Sequence, residues 1–184
     1  MSNWEHRREH PELGEAYQSS LVAGGATWGA ERLIAAYDLS GARHIVDVGG
    51  GRGLFLRRLL AEYPQARGTV LDEPHVVAGS AEVLASVADR CVAVGGSFFE
   101  SVPEGGDVYV LKNVLHNWGD AHAGRILSVC ARAVRVAGAK LVVMDTVLDE
   151  DRSKQTADLH MMVVDGGRER TADDFRALFA AAEL

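Results

Sequence analysis

The segment VDVGGGRGLF carries the pattern D-x-G-x-G-x-G, formed by Asp47, Gly49, Gly51 and Gly53. An apolar strand that runs into a glycine cluster and then into a helix presents backbone N–H groups to a phosphate or a nucleoside, because glycine permits the closest approach. Nineteen residues beyond Gly53, Asp72 ends the next predicted strand, where its carboxylate can accept hydrogen bonds from both hydroxyls of a ribose. These residue types and spacings predict a nucleoside site.

The spacing of these glycines distinguishes between ligands. A dinucleotide-binding turn reads G-x-G-x-x-G, and its third glycine lets the following helix pack closely on the strand. Counted from Gly49, this sequence reads G-G-G-R-G-L, so Leu54 stands where that last glycine belongs. The spacing therefore disfavours NAD, while a tight turn that binds no ligand remains the alternative interpretation.

Composition and charge exclude several classes of partner. The chain has 184 residues, 47% of them hydrophobic and 24% charged, which suits a single domain with a substantial core. A net charge of -7 argues against non-specific nucleic-acid binding, which needs clustered Lys and Arg. There is no apolar signal segment and no run long and apolar enough to cross a bilayer. We expect a small-molecule partner, no nucleic acid, no membrane, and a cytoplasmic location.

The two cysteines, Cys91 and Cys130, lie in apolar surroundings and lack the paired spacing of metal ligands. They are interpreted as buried thiols in a reducing compartment rather than as a catalytic group. No metal site is predicted.

Strands and helices alternate through most of the chain. The strand HIVDV, the glycine turn, a helix over 52–62 and the strand GTVLD form one βαβ unit. A helical stretch over 74–88 precedes the strands RCVAV and DVYVL, and a helix from Asp120 precedes the strand AKLVVMDTV. Five strands in this alternation predict an α/β fold in which helices cover both faces of a parallel sheet.

The segments outside this alternation are of three kinds. Residues 11–39 show helical spacing, so residues 1–40 are interpreted as a helical lead-in and residues 41–184 as the ligand-binding domain. Residues 149–167 are polar and predicted to be irregular, apart from the short apolar run DLHMMVV. Thr171 and Asp174 form a capping-box pattern that predicts the start of a last helix.

Further motifs identify a family. The turn D-x-G-x-G-x-G resembles the first motif of class I S-adenosylmethionine-dependent methyltransferases. The segments GSFFESVPEGGDVYVLKNVLHNWGDAHAGRILSVCARAV, LVVMDTVL and DLHMMVVDGGRERTADDF occur in the order and close to the spacing found in plant caffeic-acid-type and bacterial antibiotic-tailoring O-methyltransferases. The resemblance extends over nearly the whole chain, and LKNVLHNW and GGRERT are its specific parts. It implies a class I, Rossmann-like methyltransferase fold, S-adenosylmethionine as methyl donor, S-adenosylhomocysteine as product, and no metal.

The resemblance also implies how the chemistry is divided. Methyl transfer from a sulfonium is an in-line displacement, and a phenol, which titrates near pH 10, needs a general base at neutral pH. His116 matches the catalytic histidine of the family, just past the end of strand four. Asp145 and Glu169 match the acidic partners that orient such a ring. The family more often has Glu where Asp145 stands, and without the motif Glu169 would be interpreted as a solvated loop acid.

Seven positions match the family's donor site. The resemblance assigns the methionine tail to the glycine turn, the ribose to the acid of strand two, the adenine to the loop after strand three, and two flanking positions to strand four and its loop. These residues are Gly49 and Gly51, Asp72, Ser97 and Phe98, and Lys112 and Trp118. Ser97 departs from the Asp that often accepts from the adenine amino group, which predicts a weaker contact. Asp47 is expected to brace the turn.

Four positions are expected near the acceptor, which would be a hydroxylated aromatic small molecule. These are Asn113, His160, Met161 and Asp165. Met161 matches a methionine that packs on the acceptor ring, although a methionine pair is also an ordinary way to fill a core. In DGGRERT one residue is missing relative to plant members of the family.

Two parts of the family pattern are not found. Family members carry an amino-terminal, winged-helix-like dimerisation domain, whereas residues 4–40 here resemble only its junction with the catalytic domain. The final antiparallel strand pair of the family is also missing. We therefore expect strand five to be an exposed edge that permits self-association.

Three functions compete at this point. The leading one is an O-methyltransferase of secondary metabolism that acts on a hydroxyl of the phenolic class, with His116 as general base. The second is a donor-binding module, or a fragment without turnover of its own. An NAD-linked oxidoreductase is disfavoured by the glycine spacing. Some antibiotic-tailoring relatives promote hydroxylation or decarboxylation instead, but the presence of His116 favours methylation.

Overall fold

The structure is a computed structural model that describes residues 3–23, 28–148, 155–164 and 166–184. Seven strands are described, namely β1 (His44–Val48), β2 (Arg67–Asp72), β3 (Cys91–Gly95), β4 (Val108–Lys112), β5 (Lys140–Met144), β6 (Val147–Leu148) and β7 (Arg170–Thr171). The described helices are α1 (Asn3–Glu9), α2 (Pro11–Ala23), α3 (Trp28–Ala36), α4 (Leu54–Glu62), α5 (Pro74–Val77), α6 (Ser80–Leu84), α7 (Asp120–Ala137), α8 (Gln155–Val164) and α9 (Ala172–Ala181). None of these helices is long and apolar enough to cross a membrane.

Five strands form one parallel sheet in the order β3-β2-β1-β4-β5. The chain moves outward from β1 to β3 and then returns to the other side of β1 with β4, so the order reverses between β1 and β4. In open α/β sheets ligands bind at such a reversal, beyond the carboxyl ends of the strands. The predicted α/β fold of five parallel strands is confirmed, and its geometry places the glycine turn after β1 at this reversal.

Apolar side chains fill both faces of the sheet, as the predicted layers require. On one face α3 and α4 pack on the strands through Leu33, Leu56, Leu59 and Leu60, all buried. On the other face α7 and α9 contribute Ile126, Leu127, Cys130 and Phe175. Burial raises the pKa of the Cys91 thiol to about 11 and that of Cys130 to about 12. Both thiols therefore stay protonated and inert at neutral pH.

Three elements differ from expectation. The strand expected over 139–147 divides into β5 and β6, and β6 pairs in parallel with β7 as a separate small sheet. The helix expected over 74–88 divides into α5, α6 and a 3-10 turn, with a break at Gly79. The stretch expected to be irregular contains α8, in which Leu159, Met162 and Val163 are exposed while Met161 is buried.

The helix ends follow local chemistry. The capping box at the start of α9 is present, because the Asp174 N–H donates to Thr171 Oγ1 (3.2 Å) and the Thr171 N–H donates to Asp174 Oδ2 (2.9 Å). Helix α1 ends before His10, since the residue before a proline is disfavoured in helical geometry. Within the described ranges the lead-in consists of α1, α2 and α3, and the division of the chain at residue 40 stays a prediction.

Candidate functional site

The glycine turn after β1 depends on backbone geometry that L side chains rarely adopt. Gly49, Gly51 and Gly53 have φ of 73°, 61° and 88°. A Cβ on Gly53 would lie 2.8 Å from the Leu84 side chain, so this glycine also lets α4 approach the sheet. The Gly49 N–H donates to the Leu71 carbonyl (2.8 Å) and the Gly51 N–H donates to Asp72 Oδ2 (2.7 Å). The turn is thereby fixed to the end of β2.

Two carboxylates, one buried and one half-buried, support this turn from different sides. Asp72 Oδ1 accepts from the Glu73 N–H (2.7 Å), and burial raises the pKa of the Asp72 carboxyl. Asp47 is 1% exposed beneath the turn, where a Cβ on Gly50 would overlap its carboxylate. Burial raises the pKa of Asp47 to about 7, opposed by the charge of Lys112. Asp47 thus lies where a brace for the turn is expected, and Asp72 lies at the rim.

Aromatic rings surround the loop after β3. Phe98 and Trp118 meet edge to face with centroids 6.1 Å apart, and Phe99 packs against Trp118 at 4.8 Å. Trp4 of α1 stacks on the outer side of Trp118 at 6.2 Å. Ser97 Oγ accepts from the Phe99 N–H at 3.3 Å. This cluster provides flat apolar surfaces next to a small polar side chain, as a purine base requires.

The loop after β4 presents His116. Asn113 leaves the strand with φ of 54°, and a 3-10 turn over Leu115–Asn117 follows. His116 Nδ1 lies 3.1 Å from Glu169 Oε1, and the Glu169 side chain is only 3% exposed. This hydrogen bond brings together two residues that are 53 positions apart in the chain. A neutral imidazole that donates from Nδ1 to this carboxylate has its lone pair on Nε2.

Asp145 lies close to this pair without joining it. It follows β5 and is half-buried, but both of its carboxylate oxygens are buried and lack a hydrogen bond of normal geometry in the part of the chain that the structure describes. Burial raises the pKa of Asp145 to about 6; the charge of His116 lowers this pKa and that of Glu169 raises it. The structure therefore places Asp145 as a nearby charge and Glu169 as the hydrogen-bonding partner of His116.

A single cavity of about 570 Å³ joins these parts. It begins at the glycine turn, passes the aromatic cluster and reaches His116 and Met161. Its outer wall is formed by α1 and α2, through residues that include Trp4, Arg7, Tyr17 and Gln18. Among the described side chains, no group of three or more His, Cys, Asp or Glu residues could hold a metal ion.

The family model of the O-methyltransferase domain matches residues 1–183 of this chain. The chain belongs to the O-methyltransferase family.

Individual relatives extend the comparison. The phenazine O-methyltransferase PhzM of Lysobacter antibioticus is 41% identical over 179 residues, which are 95% of this chain and 52% of that protein. The crystal structure of LaPhzM superposes with a TM-score of 0.91 at 38% identity, over 99% of this chain and 56% of that one. An O-methyltransferase from neocarzinostatin biosynthesis, solved with S-adenosyl-L-homocysteine and 1,4-dihydroxy-2-naphthoic acid, has a TM-score of 0.84 at 32% identity, over 99% and 56%. The chain spans about half the length of the curated relatives it matches.

Most of the residues that the family resemblance implied line the cavity. On the donor side these are Gly49, Gly51, Asp72, Ser97, Phe98, Lys112 and Trp118, and beside them Asn113, His116 and Met161. Asp145 and Glu169 lie behind His116 rather than in the lining. His160 lies in α8, but its side chain, like the whole of Asp165, lies outside what the structure describes. The functional roles of all these residues stay predictions.

Lys112 is buried more deeply than a flanking residue would be. Its side chain passes so close to Gly29 of α3 that a Cβ there would overlap the lysine Cε. The Lys112 Nζ lies 5.7 Å from the centroid of the Phe55 ring. Burial lowers the pKa of Lys112, and the charges of Asp47 and Asp145 oppose that shift. Lys112 thus lines the cavity and also supplies a positive charge that faces the carboxylates of Asp47 and Asp145.

Arg170 was not among the residues expected to matter, yet it holds the His116 loop in place. Its side chain is fully buried and donates to the carbonyls of Leu115 (2.9 Å) and Trp118 (2.7 Å) on either side of His116. It also pairs with Asp120 at the start of α7 (2.9 Å). An arginine in the polar segment GGRERT carries no sequence signal of burial, so only the fold could reveal this contact.

Proposed function

We propose that this chain binds S-adenosylmethionine and transfers its methyl group to a hydroxyl of an aromatic small molecule, with His116 as general base. The observation that carries the proposal is the continuity of one cavity from the glycine turn to His116, whose ring is held by a buried carboxylate. An enclosure that holds both a donor and a base would meet the requirement of an in-line transfer.

The donor side of the cavity fits a nucleoside with an amino-acid tail. Asp72 lies at the rim for the ribose hydroxyls, and Phe98 and Trp118 provide rings against which adenine stacks. Gly49 and Gly51 line the cavity where the tail would lie, and a Cβ on Gly49 would come within 2.9 Å of Val114, so glycine lets the turn pack on the loop after β4. The bound donor would supply the electrophilic methyl group on its sulfonium. A weaker adenine contact is expected at Ser97, whose hydroxyl already accepts from the Phe99 N–H.

The acceptor side supplies the base and an apolar surface. His116 Nδ1 donates to Glu169, so Nε2 is the atom that would take the hydroxyl proton as the methyl group arrives. Glu169 then stabilises the imidazolium, and Asp145 adds a second negative charge nearby. Met161 is 8% exposed and lines the cavity, where it would pack on the acceptor ring. The neocarzinostatin relative was solved with a dihydroxynaphthoic acid, which supports a hydroxylated aromatic acceptor here.

Calorimetric titration of the chain with S-adenosylmethionine, S-adenosylhomocysteine and NADH tests the donor half of the proposal. We expect saturable binding of both adenosyl ligands and none of NADH. Asp72→Asn should weaken S-adenosylhomocysteine at least about ten-fold, because a charged acceptor for two hydroxyls is lost. The matched control Asp89→Asn changes an exposed acid outside the cavity and should bind normally. Binding of NADH alone would reject the proposal.

Replacement of the base tests turnover. In an assay against a panel of hydroxylated aromatic acceptors, His116→Gln should lower methyl transfer by about 10²-fold or more while S-adenosylhomocysteine still binds. The control His10→Gln changes an exposed histidine of the lead-in. If the folded wild-type chain binds the donor but methylates none of the panel, the alternative of a donor-binding module without turnover replaces this proposal.

Strand β5, at one edge of the sheet, is a candidate surface for self-association. Strand β5 is last in the strand order, and Leu141 to Met144 are half-buried. We propose that this edge pairs with a second copy of the chain, because unpaired backbone groups of an edge strand favour such contacts. A mass by light scattering that stays monomeric at all concentrations would reject this. A cytoplasmic location likewise stays a proposal, to be tested by cell fractionation.

A further inference from the structure

Helix α1 places a guanidinium group in the wall of the cavity. The Arg7 Cζ lies 3.8 Å from the centroid of the Tyr17 ring and 4.8 Å from that of Trp4. The two rings meet edge to face at 5.9 Å. Arginine stacks well on aromatic faces and leaves its N–H groups in the plane for other partners. Arg7 is therefore held in a defined orientation before any ligand arrives.

The hydrogen-bonding capacity of this guanidinium is not fully used. Arg7 Nη1 is buried and has no hydrogen-bond partner among the described residues. A buried donor without a partner costs about 1–3 kcal/mol, so native proteins rarely retain one without a reason. No ion pair of Arg7 is found within the described ranges either.

The neighbouring cations of the cavity wall differ from Arg7 in this respect. Arg8 pairs with Glu73 at 2.5 Å, and Arg52 pairs with Glu15. Lys112 lies below the cavity with Asp47 and Asp145 as opposing charges. Each of these has a carboxylate of the protein as its counter-charge, whereas Arg7 has aromatic rings.

The position of Arg7 lies between the two functional ends. Tyr17 precedes Gln18, whose Oε1 would lie 3.4 Å from a Cβ on Gly51 in the glycine turn. Trp4 stacks on Trp118, in the loop that carries His116. A ligand group that reaches Arg7 can thus extend from the donor side or from the acceptor side.

We propose that Arg7 is a carboxylate-binding residue of this cavity. The planar fork of a guanidinium matches a carboxylate in a bidentate arrangement, and the low exposure of Nη1 would strengthen the bond. Two ligands of the proposed reaction offer such a group, namely the α-carboxylate in the amino-acid tail of the donor and an acid substituent on the aromatic acceptor. The inference rests on the proposed function. It adds that one of these two ligands is recognised through its carboxylate.

The test compares ligands that differ only in this carboxylate. Wild type and Arg7→Met, whose apolar side chain can keep the packing between the rings, are titrated with S-adenosylhomocysteine and with its decarboxylated form. In a second arm, with S-adenosylhomocysteine saturating, both are titrated with 1,4-dihydroxy-2-naphthoic acid and with 1,4-dihydroxynaphthalene. The control variant Arg176→Met removes an exposed arginine of α9 that lies outside the cavity lining, and it should bind all four ligands as wild type does. Thermal unfolding checks that each variant is folded.

If Arg7 binds the donor tail, Arg7→Met weakens S-adenosylhomocysteine at least about ten-fold and leaves its decarboxylated form unchanged. If Arg7 binds the acceptor, the same selective loss appears for the naphthoic acid and not for the diol. A variant that binds all four ligands as wild type does, or that weakens all four equally, overturns the inference. Failure of folded wild type to bind S-adenosylhomocysteine overturns the proposed function first, and this inference with it.

Discussion

The two walls of the cavity are held by different forces. The His116 loop is fixed from behind by Arg170, whose guanidinium is fully buried on backbone carbonyls, and by the His116 bond to Glu169. The opposite wall, formed by α1 and α2, is attached through exposed ion pairs such as that of Arg8 with Glu73, and through stacked rings. One wall is held by buried hydrogen bonds, and the other by exposed ion pairs together with stacked rings.

This difference suggests that one wall orients the His116 ring and that the other controls access of ligands to the cavity. Buried, charge-assisted hydrogen bonds hold an atom in position, which a general base needs, whereas exposed ion pairs contribute little and exchange with solvent. We therefore expect substitutions behind His116 to change turnover and stability, and substitutions in α1 to change ligand affinity.

The largest effect is expected for Arg170→Met. It removes the donor to the carbonyls of Leu115 and Trp118, so two buried acceptors lose charge-assisted hydrogen bonds. We expect the free energy of unfolding in denaturant to fall by about 3–5 kcal/mol. Under conditions where the variant is folded, kcat should fall while S-adenosylhomocysteine affinity is kept, because the loop that carries His116 loses its support.

The control for this variant is Arg176→Met, which removes an exposed arginine paired with Asp173 in α9. It should change neither stability nor turnover. An Arg170→Met chain with wild-type stability and kcat would show that the His116 loop is held by other contacts, and the contrast between the walls would fail.

Asp145→Asn should have opposite effects on stability and on turnover. Burial raises the pKa of Asp145 from 3.8 to about 6, so the folded state is disfavoured once this group ionises. The cost is absent below about pH 4, grows between pH 4 and 6, and is complete above pH 6, where it reaches up to about 3 kcal/mol. The variant should therefore be more stable than wild type at pH 7.5 and equal to it near pH 4.

The measurement is denaturant unfolding of both proteins across this pH range. In the methyl-transfer assay the same variant should be slower, because a negative charge that favours the imidazolium of His116 is lost. Equal stability at both pH values would mean that the Asp145 carboxyl is solvated and contributes no electrostatic strain.

Gly167→Ala probes how tightly the segment GGRERT fits the His116 loop. A Cβ on Gly167 would overlap the carbonyl oxygen of His116, and the neighbouring Arg168 N–H donates to that same oxygen at 2.9 Å. Both partners are backbone, so relief requires a shift of the loop. We expect a loss of about 1–3 kcal/mol in stability together with a lower kcat.

Gly124→Ala is the matched control, since a Cβ at Gly124 in α7 would meet no atom within 4 Å. It should be neutral or stabilising, because alanine is the better helix former. If the two variants behave alike, the close fit between the two loops has no energetic importance.

The parts of the fold that sequence could predict are those with local signals. β1 has five buried residues in a row, as a strand covered on both faces needs. The capping box can be predicted because it depends only on the residue types of Thr171 and Asp174 and their spacing. Helix α8 was not predicted because DLHMMVV presents apolar residues on several sides of the helix. Met161 is buried, whereas Met162 is exposed. Burial of only part of an apolar run is decided by tertiary packing.

The site depends on contacts between distant segments, and these could be predicted only in part. His116 and Glu169 are 53 residues apart. Their contact was therefore predicted from the family resemblance, because their spacing in the sequence does not indicate it. Stacking of Trp4 on Trp118 joins the first helix to a loop more than a hundred residues later, with no periodic pattern to reveal it. Arg170 looks like any solvated arginine of a polar loop until the fold encloses it.

The smallest effect is expected at the wall formed by α1 and α2. Arg8→Gln removes the ion pair with Glu73, in which the two side chains are 56% and 33% exposed. Because such pairs are solvated, S-adenosylhomocysteine affinity should fall by less than about five-fold, and the variant should respond less to added salt than wild type does. A double-mutant cycle with Glu73→Gln isolates the pair from other roles of either residue. A coupling above ten-fold would show that α1 is fixed as firmly as the His116 loop, and access to the cavity would then require a motion of the whole wall.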